Sequence, residues 1–148
     1  DTIIEKLYQI TLQFWTRAVN NIDKYKSVFK DKENEVKDFR TNEGGSMLFR
    51  PLGINILTQA FVLWNQNNMS GNFWVYFNDI DDDLNGTVWK DVIWDNAKMN
   101  IKKTSVKFIR IYTEYIIGME TDIEYLKREY NKFKGIEIED QYDSLPKV

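Results

Sequence analysis

The sequence predicts a mainly α-helical fold, a compact bundle of about five helices with a small β-hairpin near residues 88–101. Three observations carry that prediction. Apolar residues recur at spacings of three and four through several long stretches, the signature of a helix with one buried face. Helix punctuation falls at the edges of those stretches: Pro51 at a start, Gly118 and Gly135 at ends. Only the stretch around Trp89–Ile101 combines strand-forming residues with a turn, at Asp95-Asn96-Ala97.

Composition sets the limits. A chain of 148 residues is long enough to bury one core, so residues 1–148 are read as a single helical domain. Five tryptophans and a 43% hydrophobic content supply that core, and 29% charged residues solvate the surface. There is no cysteine and no histidine. Disulfides, thiolate metal sites and thiol catalysis are therefore excluded, and so is any Ser-His-Asp or Cys-His machinery within this chain. No apolar run approaches the ~20 residues of a membrane helix, so no membrane partner is expected. The lack of cysteine fits the cytoplasm. A net charge of −3 gives no global field for nucleic acid, so any DNA contact must be local. The first residue is Asp1, and the chain is expected to be a fragment or accessory domain of a longer protein.

In order, residues 2–22 place Ile3, Leu7, Ile10, Phe14 and Ala18 on one helical row and Ile4, Tyr8, Leu12, Trp15, Val19 and Ile22 on the next. Thr2 or Asp1 would cap this helix. So wide an apolar face predicts packing on the core of this domain or, alternatively, on a preceding domain. Tyr25, Val28 and Phe29 suggest one further turn. Residues 30–46 form a charged connector in which only Val36 and Phe39 are apolar. Gly44-Gly45 then reads as a hinge, because a phosphate loop would need a lysine and a hydroxyl that are missing here. From Pro51 a helix apolar on most sides runs to the polar tract Asn65-Gln66-Asn67-Asn68. Phe73–Ile80 fits a strand or two helical turns, and its helical neighbours favour the turns, with Ser70 as a cap.

Asp81-Asp82-Asp83-Leu84-Asn85-Gly86 matches the start of a calcium-binding EF-hand loop, which makes Asp81, Asp83 and Asn85 candidate metal ligands. The twelfth position, which should be a bidentate glutamate, is Val92, so a solvated turn is the better reading. Thr104 or Ser105 would cap the next helix, apolar nearly all round and ending at Gly118. Thr121-Asp122-Ile123-Glu124 has the form of a capping box before a seam of Ile123, Leu126, Tyr130 and Phe133. Residues 136–148 read as a frayed acidic tail. The basic candidates are Lys102, Lys103, Lys107 and Arg110, in a stretch without an acid. They read either as a solvated stripe or as contacts for DNA phosphates. Arg50, before Pro51, is expected to pair with acids of the 79–83 turn or to face a partner.

Four segments together, Gly45–Gly53, Asp79–Asp82, Trp89–Asp95 and Tyr115–Gly118, give the chain a family likeness over residues 43–118. It resembles the C-terminal part of DGQHR-domain proteins, the family that includes the DNA-sulfur-modification B proteins. The Asp-Gly-Gln-His-Arg signature is absent, so the resemblance implies that the family's ParB/sulfiredoxin-like core lies outside this chain. It also implies a setting in DNA modification, phage defence and, in some members, transcription regulation. The combined expectation is a non-catalytic accessory domain with no cofactor, serving packing, partner contacts and a local DNA-backbone contact. Its partners would be other domains of the same protein, a protein partner or a second copy in a homo-oligomer. A pure interaction or oligomerisation module is the first alternative. The second is a carboxylate or metal-dependent hydrolase using Glu43, Asp81 and Asp83.

Overall fold

The first helix, α1 (Ile3–Asn21), begins where Thr2 accepts the Glu5 amide on its hydroxyl. It breaks at Ile22, which is extended. Asn78 clamps the break: its Oδ1 accepts the Asp23 amide at 3.3 Å and its Nδ2 donates to the Asn21 carbonyl at 3.2 Å. The chain re-enters a short turn, α2 (Asp23–Tyr25), and a single wide π-turn, Lys26–Lys30. These two turns carry Tyr25 and Val28, respectively, into the core. The structure, a computed structural model, describes residues 2–135 and 145–148.

The connector is mostly exposed, as its charges demand, but it holds one turn, α3 (Val36–Phe39). Phe39 stacks on Phe49, with centroids 5.4 Å apart and planes 8° from parallel. A 3-10 turn, Met47–Phe49, leads into α4 (Pro51–Gln66), with Pro51 at its first position. Helix α5 (Phe73–Asp79) settles the strand-or-helix ambiguity in favour of helix, and its cap is Asn72 rather than Ser70. Asn72 Oδ1 takes the Trp74 and Val75 amides, which Ser70 is too far back to reach. Two-residue strands β1 (Trp94–Asp95) and β2 (Asn100–Ile101) pair antiparallel, Trp94 with Ile101 and Asp95 with Asn100. The rest of residues 81–93 is a series of turns.

Ser105 caps α6 (Val106–Ile116), and Gly118 turns the chain away at φ +79. Helix α7 (Ile123–Lys134) starts differently from the predicted capping box. Asp122 is the cap and accepts the Tyr125 amide at 3.0 Å, while Thr121 donates its hydroxyl to Glu114 at 2.8 Å. A nearly buried Glu114 carboxylate draws the threonine away from the helix end. Gly135, left-handed at φ +66, ends α7.

The predicted mainly α fold with a small hairpin is the fold observed. Among the described residues, five helices run longer than one and a half turns, and α6 lies between α4 and α7. The core is unusually aromatic: Trp89 and Trp94 are fully buried with Phe108 and Tyr112. The tail expectation is only partly addressed, because 136–144 fall outside the described residues. At 145–148 it needs correction: Pro146 is buried, and its carbonyl accepts the Tyr115 hydroxyl at 2.8 Å.

Three buried phenols give the fold a pH signature. Tyr25 donates to the Leu48 carbonyl at 2.6 Å, and Tyr112 donates to the Val88 carbonyl. Burial raises both above the ordinary phenol value, with Asp82 adding to the effect at Tyr25 and Tyr130 and Tyr115 adding at Tyr112. Burial, then Tyr115 and Asp91, pushes Tyr130 up to about 12. The unfolded chain gives up these protons near pH 10. Between there and the folded values, the unfolded state therefore binds fewer protons than the folded state. Stability is thus at its plateau below about pH 10 and falls as pH rises, by about 1.4 kcal/mol per pH unit for each buried phenol. Urea midpoints measured across that window should fall steeply, and Tyr130→Phe should make the fall shallower.

Candidate functional site

The site question turns on three places: the basic stretch, the acidic loop, and the neighbourhood of Arg50. Lys102 is half-buried, and its charge is already engaged. Its ammonium donates to the carbonyls of Asp91 at 2.7 Å and Phe133 at 3.5 Å, and lies 5.3 Å from the Phe133 ring centre. Following β2 directly, it ties the hairpin to α7. Lys107 rests on the Tyr125 ring, 4.2 Å from its centre. Arg110 pairs with Glu114 at 3.1 Å, one turn on along α6. Lys103 precedes α6, so only Lys107 and Arg110 lie on that helix. All three are exposed, but one of them already has a carboxylate.

The acidic loop spends its oxygens on itself. Asp81 Oδ1 accepts the Asp83 amide at 3.0 Å, and Asp83 Oδ1 accepts the Asn85 amide at 2.9 Å. Asn85 Nδ2 donates to the Glu43 carbonyl at 2.8 Å, so that residue sews the loop to the connector. Gly86 lies so close to Asp81 that an added Cβ would stand 2.0 Å from Asp81 Oδ2. Among the described residues, no group of three or more acids is placed to hold a metal ion.

Asp82 is the residue of this loop that sequence reasoning passed over. It accepts Lys24 at 2.6 Å and the Ser46 hydroxyl, and its own carbonyl takes the Met47 amide at 2.8 Å. The Leu84 amide donates to the Gly45 carbonyl at 2.9 Å. Gly44 and Gly45, at φ +133 and +74, let the connector run this close to the loop. No spacing rule links Lys24 to Asp82, 58 residues apart, which is why the pair is silent in the sequence.

Of the two expectations for Arg50, the first is corrected: the side chain does not meet the acids of the 79–83 turn. Nη2 donates to the Thr41 carbonyl at 2.7 Å and the Gly44 carbonyl at 2.8 Å, and the guanidinium lies 5.2 Å from the Trp94 ring centre. The reason is geometric: Lys24 already occupies Asp82, and the connector folds back over Arg50 from the other side. Arg50 Nε is buried without a partner. Burial, and then the nearby charge of Arg40, push the Arg50 guanidinium below its ordinary value.

The largest departure is in α1. Its second half is embedded: Ala18 is fully buried, and Phe14 packs edge-on to Phe61 with centroids 5.2 Å apart. Its first half is not, with Ile3 78%, Ile4 79%, Leu7 58% and Ile10 63% exposed. The expectation that this face packs on the domain's own core is therefore corrected for residues 3–12. No other described element reaches far enough to cover the first three turns.

Three of the four segments that carried the family likeness meet: the 45–47 strand-like stretch bonds to 82–84, the Trp89 indole N–H donates to the Asp81 carbonyl, and Arg50 stacks on Trp94. The fourth, Tyr115–Gly118, is tied to α5, where the Tyr76 hydroxyl donates to the Ile116 carbonyl at 3.0 Å. Comparison with protein-family models, with curated proteins and with solved structures found no match to this chain. Among the described residues, no helix is long and apolar enough to cross a membrane.

Proposed function

We propose that this chain is a non-catalytic helical accessory domain that assembles through α1 with a second copy of itself. One observation carries the reading: the first three turns of α1 stand clear of the body while presenting Ile3, Leu7 and Ile10 in line with Phe14. Their 4-3-4 spacing is that of a helix-to-helix seam, and such a seam is self-complementary in the antiparallel sense. The flanking positions hold Glu5, Lys6, Gln9 and Gln13, with no block of like charge to oppose pairing. Including Ile4, Tyr8 and Leu12, the uncovered apolar surface is on the order of several hundred Å², within reach of the ~800 Å² that one partner gives to a stable interface.

The setting proposed for the assembly is the cytoplasm, in a DGQHR-type protein of DNA modification and phage defence. The absence of cysteine and the meeting of three of the four resembling segments support it. Contact with DNA backbone through Lys103 and Lys107 is the smaller part of the proposal. Lys102 is turned inward and Arg110 is paired, which leaves few charges to release counterions.

Sedimentation of the chain tests the assembly. A dimer is expected at micromolar concentration, and Leu7→Glu with Ile10→Glu should make it a monomer. Both side chains are exposed in the protomer, so the thermal midpoint of the dissociated chain should match that of wild type at high dilution. A wild-type chain that stays monomeric at every accessible concentration would sink the reading.

A further inference from the structure

Where the connector folds back over α4, a cup of about 370 Å³ opens between α3 and the hairpin tip. Three cationic residues line it, Lys37, Arg40 and Arg50, together with the polar Thr41 and Asn42, and no carboxylate does. Arg40 is exposed and has no ion pair among the described residues. Among the described residues, the acid paired with this group is Glu35, which holds Lys37 at 2.9 Å. Both members of that pair are about three-quarters exposed, so it is readily exchanged.

We infer that this cup binds a dianionic phosphate, carried as a monoester on a small organic body. The inference concerns a surface separate from α1 and goes beyond the assembly proposed above. Arg50 is the fixed point. Two carbonyls hold its Nη2 and Trp94 lies beneath its plane, so the side chain is immobilised before any ligand arrives. Nε is sealed inside, and Nη1 has no hydrogen-bond partner among the described residues, so it is the nitrogen left for a ligand. Two guanidinium groups this near each other, without an acid between them, repel. An anion placed between them removes that repulsion and gains charge-assisted hydrogen bonds from both. Thr41 and Asn42 add polar groups at the same wall. Val36 and Met99, both exposed, form apolar rims on which the organic part of a monoester would rest. A bare oxyanion would leave those rims unused, and the volume falls within the ~300–1,000 Å³ typical of small-ligand sites.

Calorimetric titration of the full chain at low ionic strength, with adenosine 5′-monophosphate, ribose 5-phosphate and inorganic phosphate as probes, tests the assignment. The two esters should bind, and more tightly than inorganic phosphate. Arg40→Ala should weaken them by about tenfold, the worth of one charge-assisted contact, and Arg40→Glu should abolish binding. Arg40 is exposed, so neither variant threatens the fold. Arg50→Lys keeps the charge but loses the fork, and should also weaken the esters. Absence of heat with all three probes, or ester binding that survives Arg40→Glu, would overturn the site. Inorganic phosphate binding as tightly as the esters would overturn the monoester assignment.

Discussion

Gly53→Ala is expected to lower the thermal midpoint by about 10 °C, a loss of roughly 3 kcal/mol. The direction is the reverse of the ordinary one, since replacing glycine by alanine inside a helix gains about 1 kcal/mol. Gly53 lies in the first turn of α4 and is buried. A Cβ there would stand 1.8 Å from the Met47 carbonyl oxygen and 2.5 Å from its carbon. That oxygen is backbone and is already committed, because it accepts the Arg50 amide at 2.9 Å. The 3-10 turn Met47–Phe49 must therefore move, and with it three buried side chains and the Met47 amide bond to Asp82. Gly71→Ala is the control. Gly71 is at φ +89 with nothing within 4 Å of an added Cβ, so only backbone strain of about 1 kcal/mol is expected. Urea denaturation of the two variants separates steric from dihedral cost; equal losses would refute the steric account.

The same residues show what a sequence discloses and what it hides. Periodicity located α1, α4, α6 and α7, because a helix that packs must repeat its apolar residues every three or four positions. Gly118 and Gly135 marked ends for an equally local reason, the left-handed conformation each adopts. Local rules failed where a distant group competed. Thr121 had the form of a capping residue, but a buried carboxylate on the preceding helix outbid the backbone amide. Lys102 and Arg50 read as contacts because charge usually faces water. Both also satisfy main-chain carbonyls of segments far along the chain or folded back upon it, which leave no trace in composition. Amphipathicity has a further blind spot, visible in α1. A stripe states that a face is apolar and is silent on whether the same chain covers it. For Phe14 the covering is Phe61 and Trp74; for Ile3 and Leu7 the described residues supply none.

Trp89→Ala is expected to cost about 3–5 kcal/mol, a large part of the ~5–15 kcal/mol that holds an ordinary domain folded. Its size alone would leave a cavity, because the ring is fully buried and meets Tyr112 edge-on at 5.9 Å between centroids. Position adds to this. The Trp89 carbonyl accepts the amides of Val92, Ile93 and Trp94 at 3.2, 3.0 and 3.2 Å, so the residue is the pivot of the turns between the acidic loop and the hairpin. Its indole N–H donates to the Asp81 carbonyl, which fixes the loop that in turn receives Met47 and Lys24. Loss of the ring thus frees both sides of the seam between the connector and the acidic loop. Trp89→Phe separates the two contributions: it retains most of the packing and deletes only the indole donor, so a loss of about 1–3 kcal/mol is expected. In chemical denaturation the alanine variant should lose both midpoint and slope, because a loosened 81–94 segment exposes surface before the rest unfolds. A midpoint within error of wild type for Trp89→Ala would mean that the hairpin end of the core carries little of the stability.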